Sequence, residues 1–334
     1  MMSAVNRFRQ SRYFWPLVAL ALILLANVFI NPAFFSLEFR NGRLYGSLVD
    51  VLNRGAPVAL LAIGMSLVIA TGGIDLSVGA VIAISGAVCA NLINSSLDSL
   101  FIVISLGLLA GLIAGLVNGS LVSYLGIQPI VATLVLMVAG RGIAQLINGG
   151  QIITFSHDGF AALGVGSLFG LPIPVVIVAV VLFLVHCLVR FTALGLFIEA
   201  VGCNPRASHY AGVHVNGVKL AVYCICGVCA AIAGMIITAD IQGADANNAG
   251  LWLELDAILA VVIGGAALTG GRFSLVLSVI GVLIIQALGT TILVSGIAPQ
   301  YNLLIKSLVI VAVLLLQSPA FKQQLMNLLR GRTT

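Results

Sequence analysis

Apolar residues run along this chain in ten long stretches separated by short polar segments: 13–30, 57–70, 78–93, 100–125, 129–147, 172–191, 218–239, 255–268, 273–294 and 301–316. A helix of about 20 apolar residues spans a bilayer, so the pattern predicts an all-α polytopic membrane protein with about ten transmembrane helices. The stretch at 13–30 follows Arg7, Arg9 and Arg12 in the manner of a signal peptide. It is long, reaches Pro32 and has no evident small-x-small cleavage site, so an uncleaved first span is expected.

Two stretches, 57–70 and 255–268, are too short for a full span, and both end in paired glycines. They are expected to tilt, break or end in re-entrant turns, because irregular backbone at membrane depth survives only where protein or a cavity surrounds it.

Composition sharpens this picture. Of 334 residues, 61% are hydrophobic and 7% charged, against roughly 25% charged in a soluble domain. The chain is expected to be one transmembrane domain over 1–334, with no room for a soluble catalytic domain. With the N-terminus inside, ten basic positions fall on the inner side: Arg7, Arg9, Arg12, Arg190, Arg206, Lys219, Arg272, Lys322, Arg330 and Arg332. Arg40, Arg43, Arg54, Arg141 and Lys306 fall outside, while Asp75 and Glu199 are the acids inside. The positive-inside rule therefore favours N-in, C-in. The basic excess reads as cytoplasmic loops, and no nucleic-acid partner is expected.

Candidate chemistry within the spans is sparse. Gly107, Gly111, Gly115 and Gly119 draw a small-residue stripe down one helix face, which reads as close helix packing or, alternatively, as a pore wall. Cys224, Cys226 and Cys229 lie inside an apolar run and read as packing thiols. His186 and Arg141 are the ionisable groups nearest mid-membrane, each expected to hydrogen-bond between helices or to snorkel. None of Lys219, Lys306 and Lys322 follows a glycine, so no P-loop is present, and neither HExxH nor GxSxG occurs. Energy is expected to come from a partner, and no metal or cofactor from this chain.

Three segments stand out between the spans. The 192–217 loop, the longest on the inner side, reads through Glu199-Ala200-Val201-Gly202 and Asn204-Pro205 as a short helix, a tight turn and a second helical turn open to another protein or, alternatively, as a solvated linker. Thr71-Gly72-Gly73 with Asp75 and Ser77 forms an inner turn in which Asp75 or Ser77 can cap the next helix; Thr269-Gly270-Gly271 is its expected counterpart. On the outer side, Asp245, Asn247 and Asn248 lead through Trp252 to Glu254, a set suited to sugar hydroxyls, to docking of an external protein, or simply to a solvated loop with an interfacial tryptophan.

Segments 59–77 (ALLAIGMSLVIATGGIDLS), 128–145 (QPIVATLVLMVAGRGIAQ), 193–212 and 240–273 resemble the sugar-uptake permeases of bacterial ATP-binding-cassette (ABC) importers, in the ribose/galactofuranose branch. The resemblance covers about residues 13–320, and 240–273 is most similar to a galactofuranose-type permease subunit. It implies an inner-membrane permease that binds no cofactor itself. Its partners would be a fused two-domain sugar-type ATPase carrying ATP and Mg, a periplasmic sugar-binding protein and a second permease subunit. It also implies a coupling helix at Glu199, Ala200, Val201 and Gly202 with Asn204, Pro205 and Ala207, which seats in a groove of the ATPase; Val201 stands where the family's EAA-type signature has Ala. Alternating access driven by that ATPase is the expected mechanism, and an ATP-independent sugar facilitator or secondary carrier is the competing one.

Overall fold

In the computed structural model, residues 14–30, 32–40, 42–95, 99–296, 298 and 301–317 are described. Arg7, Arg9, Arg12, Lys322, Arg330 and Arg332, on which part of the charge argument rests, lie outside them.

The chain is a helical bundle. Its long elements are α1 (Phe14–Ile30), α2 (Ser47–Ala70), α3 (Val78–Asn94), α4 (Leu100–Ser123) and α5 (Pro129–Ile147), followed after a short α6 (Asp158–Val165) by α7 (Ile173–Phe191). Two small helices come next, α8 (Leu194–Cys203) and α9 (Pro205–Tyr210), then α10 (Val215–Ile241), α11 (Leu253–Ile263), α12 (Leu275–Val294) and α13 (Asn302–Gln317). Six of them, α2, α4, α5, α7, α10 and α12, are long and apolar enough to cross a membrane. This is a multi-pass membrane architecture.

α2 lies at the centre, with nearly every residue from Gly55 to Ala70 buried. The apolar run at 57–70 is thus not a short or broken span. The helix begins ten residues earlier and carries Asp50, Asn53 and Arg54 in its first half, polar positions that an apolarity criterion cuts away. The expectation of a break holds for 255–268 instead: α11 stops after 11 residues at Gly264-Gly265, where Gly265 has φ 87°.

The glycine stripe packs against α10. Gly111 and Gly227 face each other so closely that a Cβ on either would strike the other's carbonyl oxygen, and Gly115 sits on the backbone of Tyr223 and Cys224. With no hydrophobic force between apolar helices inside lipid, such close backbone approach is what gains dispersion energy. The stripe is a packing face. Cys226 and Cys229 are buried beside it, and all six cysteines are free.

Three short antiparallel pairs gather at one end of the bundle: β1 (Glu38–Arg40) with β2 (Arg43–Tyr45), β3 (Ile153–Thr154) with β6 (Gly243–Ala244), and β4 (Ser167–Leu168) with β5 (Leu171–Pro172). Leu44 N–H donates to Gly170 C=O at 3.0 Å, and Arg43 Nη1 to Val165 C=O at 2.7 Å, joining the first hairpin to the third. The turns at 71–77 and 264–274 and the α8–α9 pair occupy the opposite end.

Candidate coupling and gating site

At that opposite end three segments meet backbone to backbone. Gly271 N–H donates to Ala70 C=O at 2.8 Å, tying the turn after α11 to the turn after α2. A Cβ on Gly202 would run into that same carbonyl oxygen and into the Gly271 amide, and one on Gly270 would lie 2.9 Å from Gly72 N and 3.0 Å from Gly202 O. Gly72, Gly270 and Gly271 have φ of 80°, 92° and 98°, which side-chain-bearing residues rarely adopt. The two Thr-Gly-Gly turns are therefore direct neighbours, and α8 rests on both.

α8 and α9 form the helix, turn and second helical turn read from the sequence. Asn204 Oδ1 accepts from Ala207 N–H at 3.0 Å and caps α9, whose first residue is Pro205. Of the seven residues assigned to this loop by resemblance, Val201 is fully buried in the bundle core, which accounts for a branched apolar residue there. Asn204, Pro205 and Ala207 are exposed, as are Arg206, His209 and Tyr210, whereas Ala200 and Gly202 are half-buried. Glu199 is half-buried in a groove of about 400 Å³ shared with His186, Arg190 and Ser274.

Above the turns lies a buried polar cluster. Asp75 Oδ1 accepts from Ser77 N–H at 3.0 Å, from Ser77 Oγ at 2.6 Å and from Asn118 Nδ2 at 3.3 Å; Asn118 Nδ2 also donates to Ser77 Oγ at 2.8 Å. Asp75, Ser77, Asn118 and Tyr223 are all buried. The expectation that Asp75 or Ser77 caps the first turn of α3 needs correction. The Ser77 side chain makes no cap bond, because its hydroxyl is taken by the carboxylate, and the backbone N–H that Asp75 accepts from is that of Ser77, the residue before the helix. The pair instead fastens the start of α3 to α4 through Asn118, and Thr133 Oγ1 on α5 reaches Ile74 C=O at 3.3 Å. Thr71 Oγ1 closes the end of α2 on Val68 C=O at 2.8 Å.

At the other end, the segment after α10 is clamped by α5. Arg141 Nη1 donates to Ala246 and Ala249 C=O at 3.1 and 2.6 Å, Gln145 Nε2 to Asn247 Oδ1 at 2.6 Å, and Asn148 Nδ2 to Ala244 C=O at 3.0 Å. Asp245 Oδ1 accepts from the Asn247 and Asn248 amides, and its Oδ2 from Asn248 Nδ2 at 2.7 Å. Partial burial pushes the Asp245 carboxyl upward, but these hydrogen bonds and the nearby Arg141 outweigh it and hold the group below the usual carboxylate range. Trp252 is 60% exposed with φ 68°. Glu254 is buried, lying against Gly79 of α3, where a Cβ would be 2.6 Å from its Oε2.

Sequence reasoning missed Asn118 and Tyr223, which sit in apolar runs with nothing to mark them. It also missed the clamp as a unit, although Arg141, Gln145 and Asn148 are spaced four and three apart and so share one helix face.

A long apolar bundle with a helix–turn–helix hung from two glycine turns at one end defines a multi-pass membrane protein. Residues 47–314 match the family model for the branched-chain amino acid transport system / permease component, and the chain belongs to this family. It is 56% identical to the galactofuranose transporter permease protein YtfT of Escherichia coli (strain K12), over 96% of this chain and 94% of that protein. It is 36% identical to the fructose import permease protein FruF of Bifidobacterium longum (strain NCC 2705), over 98% and 94%. It is also 36% identical to the ribose import permease protein RbsC of Haemophilus influenzae, over 89% and 90%. No solved structure matches.

Proposed function

We propose that this protein is the membrane-spanning subunit of an ABC importer for a monosaccharide, of galactofuranose type or a related pentose or hexose. The observation that carries the reading is the 56% identity to a galactofuranose permease over nearly the whole of both chains. In this reading the chain crosses the bacterial inner membrane about ten times, with α1, α3, α11 with its glycine turn, and α13 completing the six long helices, and both termini face the cytoplasm. The end bearing α8 and α9 is then cytoplasmic.

There a fused two-domain ATPase, which holds ATP and Mg, docks on Glu199, Ala200, Gly202, Asn204, Pro205 and Ala207. Because Gly202 leaves no space between α8 and the two turns, a push on α8 passes directly to the end of α2 and to the turn between α11 and α12. Thr71, Gly72, Gly73, Gly270 and Gly271 are the gating turns, and Asp75 with Ser77 holds the neighbouring helix start in register. A periplasmic binding protein delivers the sugar to the opposite end, where Asp245, Asn247, Asn248 and Trp252 form its landing surface, and a second permease subunit completes the core. Alternating access follows from biasing the bundle between two arrangements.

Reconstitution tests the reading. Liposomes containing this chain with its ATPase, the second permease and a loaded binding protein should take up sugar only with ATP. Uptake by this chain alone, without ATPase, would establish a facilitator instead.

A further inference from the structure

The end of the bundle opposite the junction holds a recess of about 330 Å³ between α2, α6, α7, α10, α11 and α12, lined by Asn53, Arg54, Pro57, Asp240, Leu253 and Gln286 among others. That volume is at the lower limit of the roughly 300–1,000 Å³ of small-molecule sites. We infer that this recess is the permease's own sugar-binding station, with Asn53 and Gln286 as its specificity-determining residues. The inference rests on the importer reading above and deepens it.

One side-chain acceptor in the recess lacks a donor, and one backbone carbonyl lacks its α-helical partner. Pro57 lies inside α2 and has no N–H, so the carbonyl of Asn53, four residues earlier, loses its helical partner. The Asn53 Oδ1 is likewise buried without a hydrogen bond. A buried unpaired acceptor is costly, and a solute hydroxyl supplies the donor that Asn53 Oδ1 lacks. Arg54 and Asp240 are exposed at the rim of the recess and Gln286 is half-buried, and among the described residues these side chains make no hydrogen bond or ion pair.

The set suits a polyol. Arg54 only donates, Asp240 only accepts, and the amides of Asn53 and Gln286 do both, as each sugar hydroxyl does. One positive and one negative group favour a neutral ligand over an anion. Val58, Ile236 and Leu253 supply apolar wall for the C–H faces of a ring. Two glycines keep the polar groups in place. A Cβ on Gly55 would press on Gln286 Cγ at 3.3 Å, and Gly164 lets α6 seat directly on the backbone of Asp240.

The test uses the complete transporter in proteoliposomes with radiolabelled galactofuranose. Asn53→Leu and Gln286→Leu should each lower uptake about tenfold while ATP hydrolysis stimulated by the loaded binding protein persists, and Gln286→Asn should recover part of the uptake. Unchanged sugar taken up per ATP hydrolysed in both leucine variants would overturn the recess. Should those variants be lost from the membrane, Asn53→Cys serves: modification by a hydrophilic maleimide from the binding-protein side should be slowed by sugar and should block uptake, and inert or harmless labelling would overturn it. ATP-independent uptake by the unmodified transporter would instead overturn the importer reading, which keeps the two failures apart.

Discussion

The amide of Gly271 donates to the carbonyl of Ala70, joining two turns far apart in the sequence, and Gly202 of α8 lies against both partners of that bond. The contact is backbone on backbone, with no flexible side chain to absorb displacement. Under the proposed function, a movement of α8 would be passed to the end of α2 and to the turn between α11 and α12.

Any side chain at Gly202 must separate these segments. Overpacking of this kind costs about 1–3 kcal/mol. Gly202→Ala should lower the melting temperature of the purified protein, and Gly202→Trp should leave the protein in the membrane yet abolish stimulated ATP hydrolysis. Glu199→Arg should do the same by reversing charge in the groove beside α8. Transport that survives both Gly202→Trp and Glu199→Arg would remove the coupling role.

Cys203 is exposed at the end of α8, whereas Cys89, Cys226 and Cys229 are buried. A hydrophilic maleimide should modify Cys203 readily, spare those three, and react much more slowly with Cys203 once the ATPase is bound. Equal labelling of Cys203 with and without the ATPase would place the docking surface elsewhere. Mass spectrometry of the labelled chain reads the outcome.

Asp75 and Asn118 share a buried network, so their contributions should not add. Asp75→Ala and Asn118→Ala are each expected to destabilise by about 1–3 kcal/mol, through buried groups left unpaired. The double variant should cost less than the sum by about 0.5–3 kcal/mol. Additivity in a thermal or denaturant series would show that the two side chains act independently. Asp75→Asn keeps the shape and should reduce transport per molecule if the turn gates; normal specific transport at lower yield would leave it a purely structural role.

The depressed Asp245 carboxyl has a pH consequence. A group whose folded-state value lies below its unfolded one stabilises above the unfolded value, 3.8, and loses that contribution as pH falls through the folded value. Amide exchange in 244–252, corrected for its intrinsic rate, should thus stay slow down to about pH 4 and rise below it. Asp245→Asn should remove that rise, and Arg141→Ala should raise exchange at every pH by freeing the carbonyls of Ala246 and Ala249.

The reach of sequence reasoning followed the range of the interaction involved. Apolar length alone located the helices, because in lipid each span satisfies its own backbone hydrogen bonds and needs no knowledge of its neighbours. It misjudged the start of α2, since Asp50, Asn53 and Arg54 break an apolar run without breaking a helix. The α8–α9 turn was also legible, because Asn204 and Pro205 act within one turn of chain.

What no linear pattern contained was who meets whom. Three glycine-bearing segments, at 70–73, 202 and 270–271, converge only in the packed bundle, and so do Asp75 with Asn118 and Arg141 with the 244–252 segment. The sequence by itself determined a multi-pass helical permease with paired glycine turns and a helical loop between α7 and α10. Only the tertiary structure decided that these turns and that loop form one junction, because close backbone approach depends on the absence of side chains at positions brought together by the whole bundle.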